Sequence, residues 1–297
     1  EPVLPDGSTF FGSRVINDIN ELISICPFGA MEENNGKLNI KTFIHTDFIT
    51  DSMNVRSGMI DLENNHLGII SKIENQFALD EIDDIINISE GIVISREDLG
   101  IELPVERIPG IQKLLINKCH IAGKVSVVVS DMVSTLENSL TKAEVSDIAN
   151  AVLDGTDALM FNNKDYSMEL LLATEKVIKA AEEDINYMSF LDVSIRSESR
   201  DITGNVACSV AEMANRLKCK AIVVPTISGY TARKMSRFRP RCPIVAISTD
   251  QKTVRSLAVY FGVCPVLIEN LKSLDDIMLQ SKKIVYDKMN VISGDKI

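Results

Sequence analysis

Two periods alternate along the chain. Leu67–Ile70, Gly91–Ile94, Val125–Val129 and Ala158–Phe161 are short, wholly apolar runs. Runs of this kind read as strands buried on both faces. Between them the apolar positions follow helical spacing: Ala78, Leu79, Ile82, Ile85 and Ile86, then Ile111, Leu114, Leu115 and Ile116, then Val145, Ile148, Ala149 and Val152. Thr141, followed three residues later by Glu144, predicts a capping box at the start of the third helix. Phe43–Met53 is predicted as a further strand, Val55–Glu63 as a short helix and Glu169–Glu182 as a long one. Strand, helix and strand in repetition predict a parallel sheet, because parallel neighbours need a crossover connection.

Asp184–Asp201 is polar and irregular and reads as a linker. Beyond it, Val206–Leu217, Ala232–Phe238, Lys252–Tyr260 and Leu274–Met289 are predicted helices. They alternate with strands at Ala221–Val224, Ile244–Ser248 and Val263–Leu267, the pattern of a small doubly wound sheet. At the other end, residues 1–13 are rich in turn formers, Val15–Ile25 has a helical apolar pattern, and Glu32–Lys37 reads as a polar loop. The expected organisation is an unassigned segment over 1–40, a barrel-type unit over 41–185 and an α/β unit over 186–297.

Composition narrows the function classes. The net charge of −11 argues against nucleic acid or an anionic membrane as partner. No apolar run is long enough to span a bilayer, and the first residues lack a leader-peptide pattern. The six cysteines form neither a CxxC pair nor a zinc spacing, so free thiols and a cytoplasmic setting are expected. His45, His66 and His120 are scattered and read as surface or packing residues.

The candidate chemistry sits where the apolar runs end. One run ends in Ser71-Lys72-Ile73-Glu74, the next in Ser95-Arg96-Glu97-Asp98. In parallel α/β folds the carboxyl ends of strands are where sites are built. Lys72 and Glu74, two residues apart on an extended strand, point the same way, and Asp98 arrives from the neighbouring strand. Two carboxylates suit a hard divalent cation such as magnesium, and a lysine beside them can neutralise a phosphoryl group in transfer. The same residues equally suit two solvated strand ends with a Lys–Glu ion pair. In the second unit, Thr226, Ser228, Gly229 and Thr231 lie where a strand leads into a helix. That arrangement suits a bound phosphate, or an ordinary capped turn. A basic stretch such as the one carrying Arg233, Lys234, Arg237, Arg239 and Arg241 is usually a solvated face, but here it flanks the proposed phosphate loop.

Three ordered blocks, IISKIEN, GIVISREDLGIELPVE and LTKAEVSDIANAVLDGTDALM, resemble the core of pyruvate kinases. The resemblance runs from about Asp47 to the end of the chain and does not include residues 1–40. It implies a partial (β/α)8 TIM-type barrel followed by a C-terminal three-layer α/β domain with a mostly parallel sheet. It implies transfer of the phosphoryl group of phosphoenolpyruvate to ADP, giving pyruvate and ATP, as a step of glycolysis in the cytoplasm. By this resemblance Lys72 and Ser130 are catalytic, Ser52, Glu97 and Asp98 bind substrate, and Glu74 and Asp98 hold Mg2+. Ser52 equally suits a helix N-cap. K+ is implied as well, without counterparts here for its ligands. A sugar-phosphate effector is implied at Thr226, Ser228, Gly229 and Thr231, as is a homo- or hetero-oligomer with pyruvate kinase subunits.

The sequence also departs from the family pattern. Met53 stands where an aromatic is usual, Glu97 where glycine is usual, Asp131 where glutamine is usual, and Asn162-Asn163-Lys164 in place of Ser-Gly-Glu. About five barrel strands are visible, and the earlier strands, the inserted β domain and a last strand or two are not. The alternative expectation is therefore a catalytically impaired homologue acting as a regulatory or assembly subunit.

Overall fold

The structure is a computed structural model. It describes residues 14–16, 31–34, 37–40, 43–46, 68–130, 140–161, 168–191, 201–268, 274–289 and 291–297. The chain forms two compact units, one spanning Ser13–Ile185 and the other containing Asn186–Ile297.

The first unit is built on a parallel sheet. Its strands in chain order are β1 (Arg14–Ile16), β4 (Phe43–Thr46), β5 (Gly68–Ile73), β6 (Gly91–Ile94), β7 (Val125–Ser130) and β8 (Ala158–Phe161). They lie side by side in the order β1-β8-β7-β6-β5-β4, all pairs parallel. The crossovers are helical: α1 (Gln76–Asp80), α2 (Ile82–Ile88), α3 (Arg96–Glu102), α4 (Ile108–Ala122), α5 (Lys142–Asp154) and α6 (Met168–Glu183). Every residue of β6 is buried, as wholly apolar strands predict. Gly91 opens β6 because β7 passes too close for a side chain. A Cβ there would lie 2.5 Å from the Val125 carbonyl oxygen. At the same end, buried Asp157 accepts from the Ser126 amide at 2.9 Å and the Ser126 hydroxyl at 3.1 Å.

Three expectations are corrected here. The start of the predicted helix Val15–Ile25 is strand: Arg14–Ile16 pairs with Ala158–Met160, and residues 17–30 lie outside the described residues. β-branched Val15 and Ile16 suit either period, and the open edge of β8 decides for strand. Among the described residues the sheet therefore has six strands rather than five. The stretch Glu32–Lys37, expected as a loop, belongs to an antiparallel pair, β2 (Met31–Asn34) and β3 (Lys37–Ile40), with Asn34 opposite Lys37. The two intervening residues are Asn-Gly, the strongest short hairpin signal. Last, the single helix expected after β5 is two helices, parted at Glu81 (φ −101°, ψ 15°). The first is capped by Asn75, whose side chain accepts from the Ala78 amide at 2.8 Å.

The capping box at α5 is present. The Glu144 carboxylate accepts from the Thr141 amide at 2.5 Å, and the Glu144 amide donates to the Thr141 hydroxyl at 3.3 Å. Val145, however, is partly exposed, and buried Ile148, Ala151 and Val152 carry the inner face.

Among its described residues the second unit carries a parallel sheet of three strands in the order β11-β10-β9: β9 is Ile222–Pro225, β10 is Ile244–Ser248 and β11 is Val263–Leu267. Its helices are α7 (Ile202–Leu217), α8 (Tyr230–Arg237), α9 (Gln251–Leu257) and α10 (Leu274–Met289). Ala221, Val245, Ile247 and Val266 pack with Val285 of α10 on one face. Ile222, Val224, Ile244 and Ala246 alternate with them and are buried too, so the opposite face is also covered. That makes three layers. Within the expected linker, residues 187–191 are helical.

Candidate active site

β5 ends with Lys72 and Ile73, and Glu74 follows directly. Lys72 lies opposite Val93, and Ile73 opposite Ile94, so β5 and β6 end level with each other. The Ser95 amide then donates to the Ile73 carbonyl at 3.3 Å and ties the start of α3 to the end of β5. Asp98, three residues on, comes round the first turn of α3 and meets Lys72. The Lys72 Nζ lies 2.9 Å from Glu74 Oε2 and 2.8 Å from Asp98 Oδ2. One ammonium therefore touches both carboxylates at the carboxyl rim of the sheet.

The electrostatics follow from that contact. Partial burial disfavours the Lys72 ammonium, but hydrogen bonds to Asp98 and Glu74 outweigh it, and its pKa lies above the ordinary lysine value. Burial likewise works against the Asp98 carboxylate, and hydrogen bonds from Lys72 and then Ser95 outweigh it, so its pKa lies below the ordinary aspartate value. Ser95 was not singled out from the sequence. Its hydroxyl makes no bond to the helix backbone and donates instead to Asp98 Oδ2 at 2.5 Å. The available signal was its position, a serine at the N-cap three residues before an acid.

The other sequence-predicted residues are placed as follows. Glu97 is exposed and lines a cleft of about 830 Å³ with Arg96, Gly100, Ile101 and Pro109, a cleft that Lys72, Glu74 and Asp98 do not line. Successive residues on a helix diverge by about 100°, which separates Glu97 from its neighbour Asp98. Arg96 pairs with Asp147 of α5. The backbone of Ser130 closes β7 at the rim, opposite Phe161. Ser52, Asp131 and Asn162-Asn163-Lys164 lie outside the described residues.

In the second unit the loop from β9 to α8 is tightly tied. The Thr226 hydroxyl accepts from the Gly229 amide at 3.0 Å, and Gly229 caps α8 in the left-handed region (φ 77°). Arg233 donates to the Ser228 carbonyl at 3.1 Å. Thr231 lies in the first turn of α8. The basic stretch is solvated only in part, with Arg241 exposed. Arg237 and Arg239 are buried, and Arg239 lies 4.3 Å from the centre of the Phe261 ring. Lys234 pairs with Asp201 at 3.1 Å. Among the described residues Cys119, Cys208, Cys219, Cys242 and Cys264 form no disulfide, and burial pushes the Cys242 thiol up to about 11.

A parallel β/α sheet with an ammonium–dicarboxylate site at its carboxyl rim, followed in the chain by a parallel three-layer unit, defines the class of molecule. Residues 32–167 match the family model described as pyruvate kinase, barrel domain, and residues 204–297 the one described as pyruvate kinase, alpha/beta domain. The pyruvate kinase of Sporosarcina psychrophila is 34% identical over 264 residues, covering 86% of this chain and 45% of that protein. That of Clostridium acetobutylicum is 34% identical over 253 residues, covering 83% of this chain and 54% of that protein. The structure of Cryptosporidium parvum pyruvate kinase in complex with ADP is similar with a TM-score of 0.81 and 29% identity, covering 86% of this chain and 54% of that one. The chain belongs to the pyruvate kinase family. It spans about half the length of the curated relatives it matches.

Proposed function

We propose that the chain carries the phosphoryl-transfer rim of a pyruvate kinase, which moves the phosphoryl group of phosphoenolpyruvate to ADP in glycolysis, in the cytoplasm. The observation that supports this most is the single ammonium held within 3 Å of two carboxylates. A cation is accommodated between Glu74 and Asp98, and both donors are hard oxygens of the kind magnesium takes. Two carboxylates suit an ion that keeps waters and draws its remaining ligands from substrate phosphates. Glu74 and Asp98 would hold Mg2+, which neutralises phosphate charge when bound.

Lys72 is the mobile cation of the site in this reading. Its ammonium rests on the two acids and turns to the phosphoryl oxygens when substrate arrives, contributing where charge develops. Asp98 is held by Ser95, so its carboxylate keeps its place when Lys72 leaves it. Ser130 assists proton delivery to the enolate. Ser52 and Asp98 contribute to the substrate site. Glu97, a substrate residue by the family resemblance alone, lines the cleft with Arg96 and Gly100. K+ is carried over from the family alone. At the loop after β9 the hydroxyls of Thr226, Ser228 and Thr231, with Gly229, form the seat for a sugar-phosphate effector. The active form is an oligomer with like subunits.

The test is pyruvate formation from phosphoenolpyruvate, ADP and magnesium, comparing wild type with Lys72→Met. A rate loss of at least about a hundredfold is expected of a lost transition-state cation. Equal turnover rejects the role of Lys72. A second reading, a regulatory or assembly subunit with an impaired site, draws on Asp131 and Asn162-Asn163-Lys164. It expects no pyruvate from the chain alone and a changed rate when it is mixed with an active pyruvate kinase.

A further inference from the structure

The serine beside the candidate site is used in an unusual way. Ser95 stands at the N-cap of α3 and is buried, at 4% exposure. Other helix caps in this chain use their side chains in the ordinary manner. Asn75, Thr141, Asp201 and Asp250 each accept from a backbone amide of the turn that follows. Ser95 forgoes that bond and gives its hydroxyl to Asp98 Oδ2. The Lys72 ammonium meets the same oxygen, 2.8 Å away. A carboxylate has about four lone-pair sites shared between its two oxygens. The two donors use up the share of Oδ2, and Oδ1 is the oxygen that Asp98 offers to an ion. When Lys72 turns to substrate the hydroxyl stays, because buried polar groups keep their partners.

We infer that Ser95 is a positioning residue that holds Asp98 to one open oxygen and so sets the site's choice of ion, magnesium over calcium. The inference rests on the reading of Glu74 and Asp98 as ligands of a divalent cation. The chemistry of the two ions decides the sign. Magnesium demands a tight octahedral shell at about 2.0–2.1 Å, keeps several waters and needs only a single oxygen from each acid. Calcium takes about 6–8 oxygens at about 2.3–2.6 Å and can grip a carboxylate through both of its oxygens. A two-oxygen grip on Asp98 has to displace the Ser95 hydroxyl and leave a buried donor without an acceptor. That cost falls on calcium and not on magnesium.

The experiment loads the whole chain with Mn2+, which takes oxygen ligands in the same octahedral way, and reads the free ion by its electron paramagnetic resonance signal. Mg2+ or Ca2+ then displaces the bound ion, and the quantity read is the ratio of the two displacing concentrations. Wild type is expected to favour magnesium. Ser95→Ala and Ser95→Gly both remove the hydroxyl, and glycine is tolerated at an N-cap, so either folded variant carries the test. Removing a group that hydrogen-bonds a metal ligand typically changes affinity about 10–100-fold. Each variant is therefore expected to move the ratio at least about tenfold towards calcium. Ser95→Thr, which keeps the hydroxyl, is expected to stay with wild type. A ratio left within about twofold of wild type by the Ala and Gly variants overturns the inference, as does a Thr variant that moves with them. Glu74→Gln tests the reading beneath it. If that change leaves Mn2+ binding intact, or if wild type binds no Mn2+, the assignment of the ligands fails and the inference falls with it. If it weakens Mn2+ binding while the Ala and Gly variants leave the ratio unmoved, only the inference fails.

Discussion

Replacing Lys72 by methionine keeps the aliphatic stem and removes only the ammonium. Two charge-assisted hydrogen bonds are lost, at 2.9 and 2.8 Å. Such bonds contribute about 1.5–3 kcal/mol each when desolvated. Here the Glu74 side chain is 10% exposed and that of Asp98 38%, so the second is reduced toward the surface value of up to about 1 kcal/mol. Burying an ammonium has its own cost, which the substitution relieves. The net expectation is a loss of about 1–3 kcal/mol at neutral pH, read as a lower urea midpoint with unchanged slope. Two carboxylates are left facing each other, so magnesium stabilises Lys72→Met more than it stabilises wild type. The sign with pH follows from Asp98. Its folded pKa is depressed, so its contribution is present above the unfolded value of about 4 and is lost as pH falls through the folded value. The gap between variant and wild type therefore narrows on acidification. Equal midpoints at neutral pH, with magnesium acting equally on both proteins, would refute the placement of the ammonium between the acids.

Three further outcomes test the frame around the site. Gly91→Ala, which sets a methyl group against the Val125 carbonyl, lowers stability by about 1–3 kcal/mol in urea titration. Thr141→Ala removes one arm of the α5 capping box and costs about 0.5–2 kcal/mol by the same measurement. Asp250 caps α9, and although burial works against its charge, bonds from the Thr253 amide and hydroxyl hold its pKa below the ordinary value. Its contribution is present above about pH 4 and fades below it, so Asp250→Asn, which still caps, shows a shallower loss of stability across that acid range.

Much of this architecture was legible in the apolar pattern. Gly91–Ile94 and Val125–Val129 are apolar on both faces, and no other element of that length buries such a run as well. Lys72 and Glu74 could be placed on one side because strand alternation is rigid, and Asp98 because β5 and β6 end in register. The strand at Arg14–Ile16 is not legible in the local pattern, because its partner, β8, lies over 140 residues away and local spacing carries nothing about such a neighbour. Glu97 and Asp98 look alike in sequence, yet one helical step turns Glu97 to a cleft that Asp98 does not line. The burial of Arg237 and Arg239 is not legible in the sequence for a similar reason, since the faces of Phe238 and Phe261 that receive them come from packing.

The central claim, that Lys72 and Asp98 act as parts of one site, is tested most directly by a double-mutant cycle on the kcat/KM of pyruvate formation. Lys72→Met, Asp98→Asn and the pair are compared with wild type. The account predicts strong non-additivity, with the pair costing little more than the more damaging single change. Losses that multiply as for independent positions, or a wild-type chain that forms no pyruvate, would contradict it.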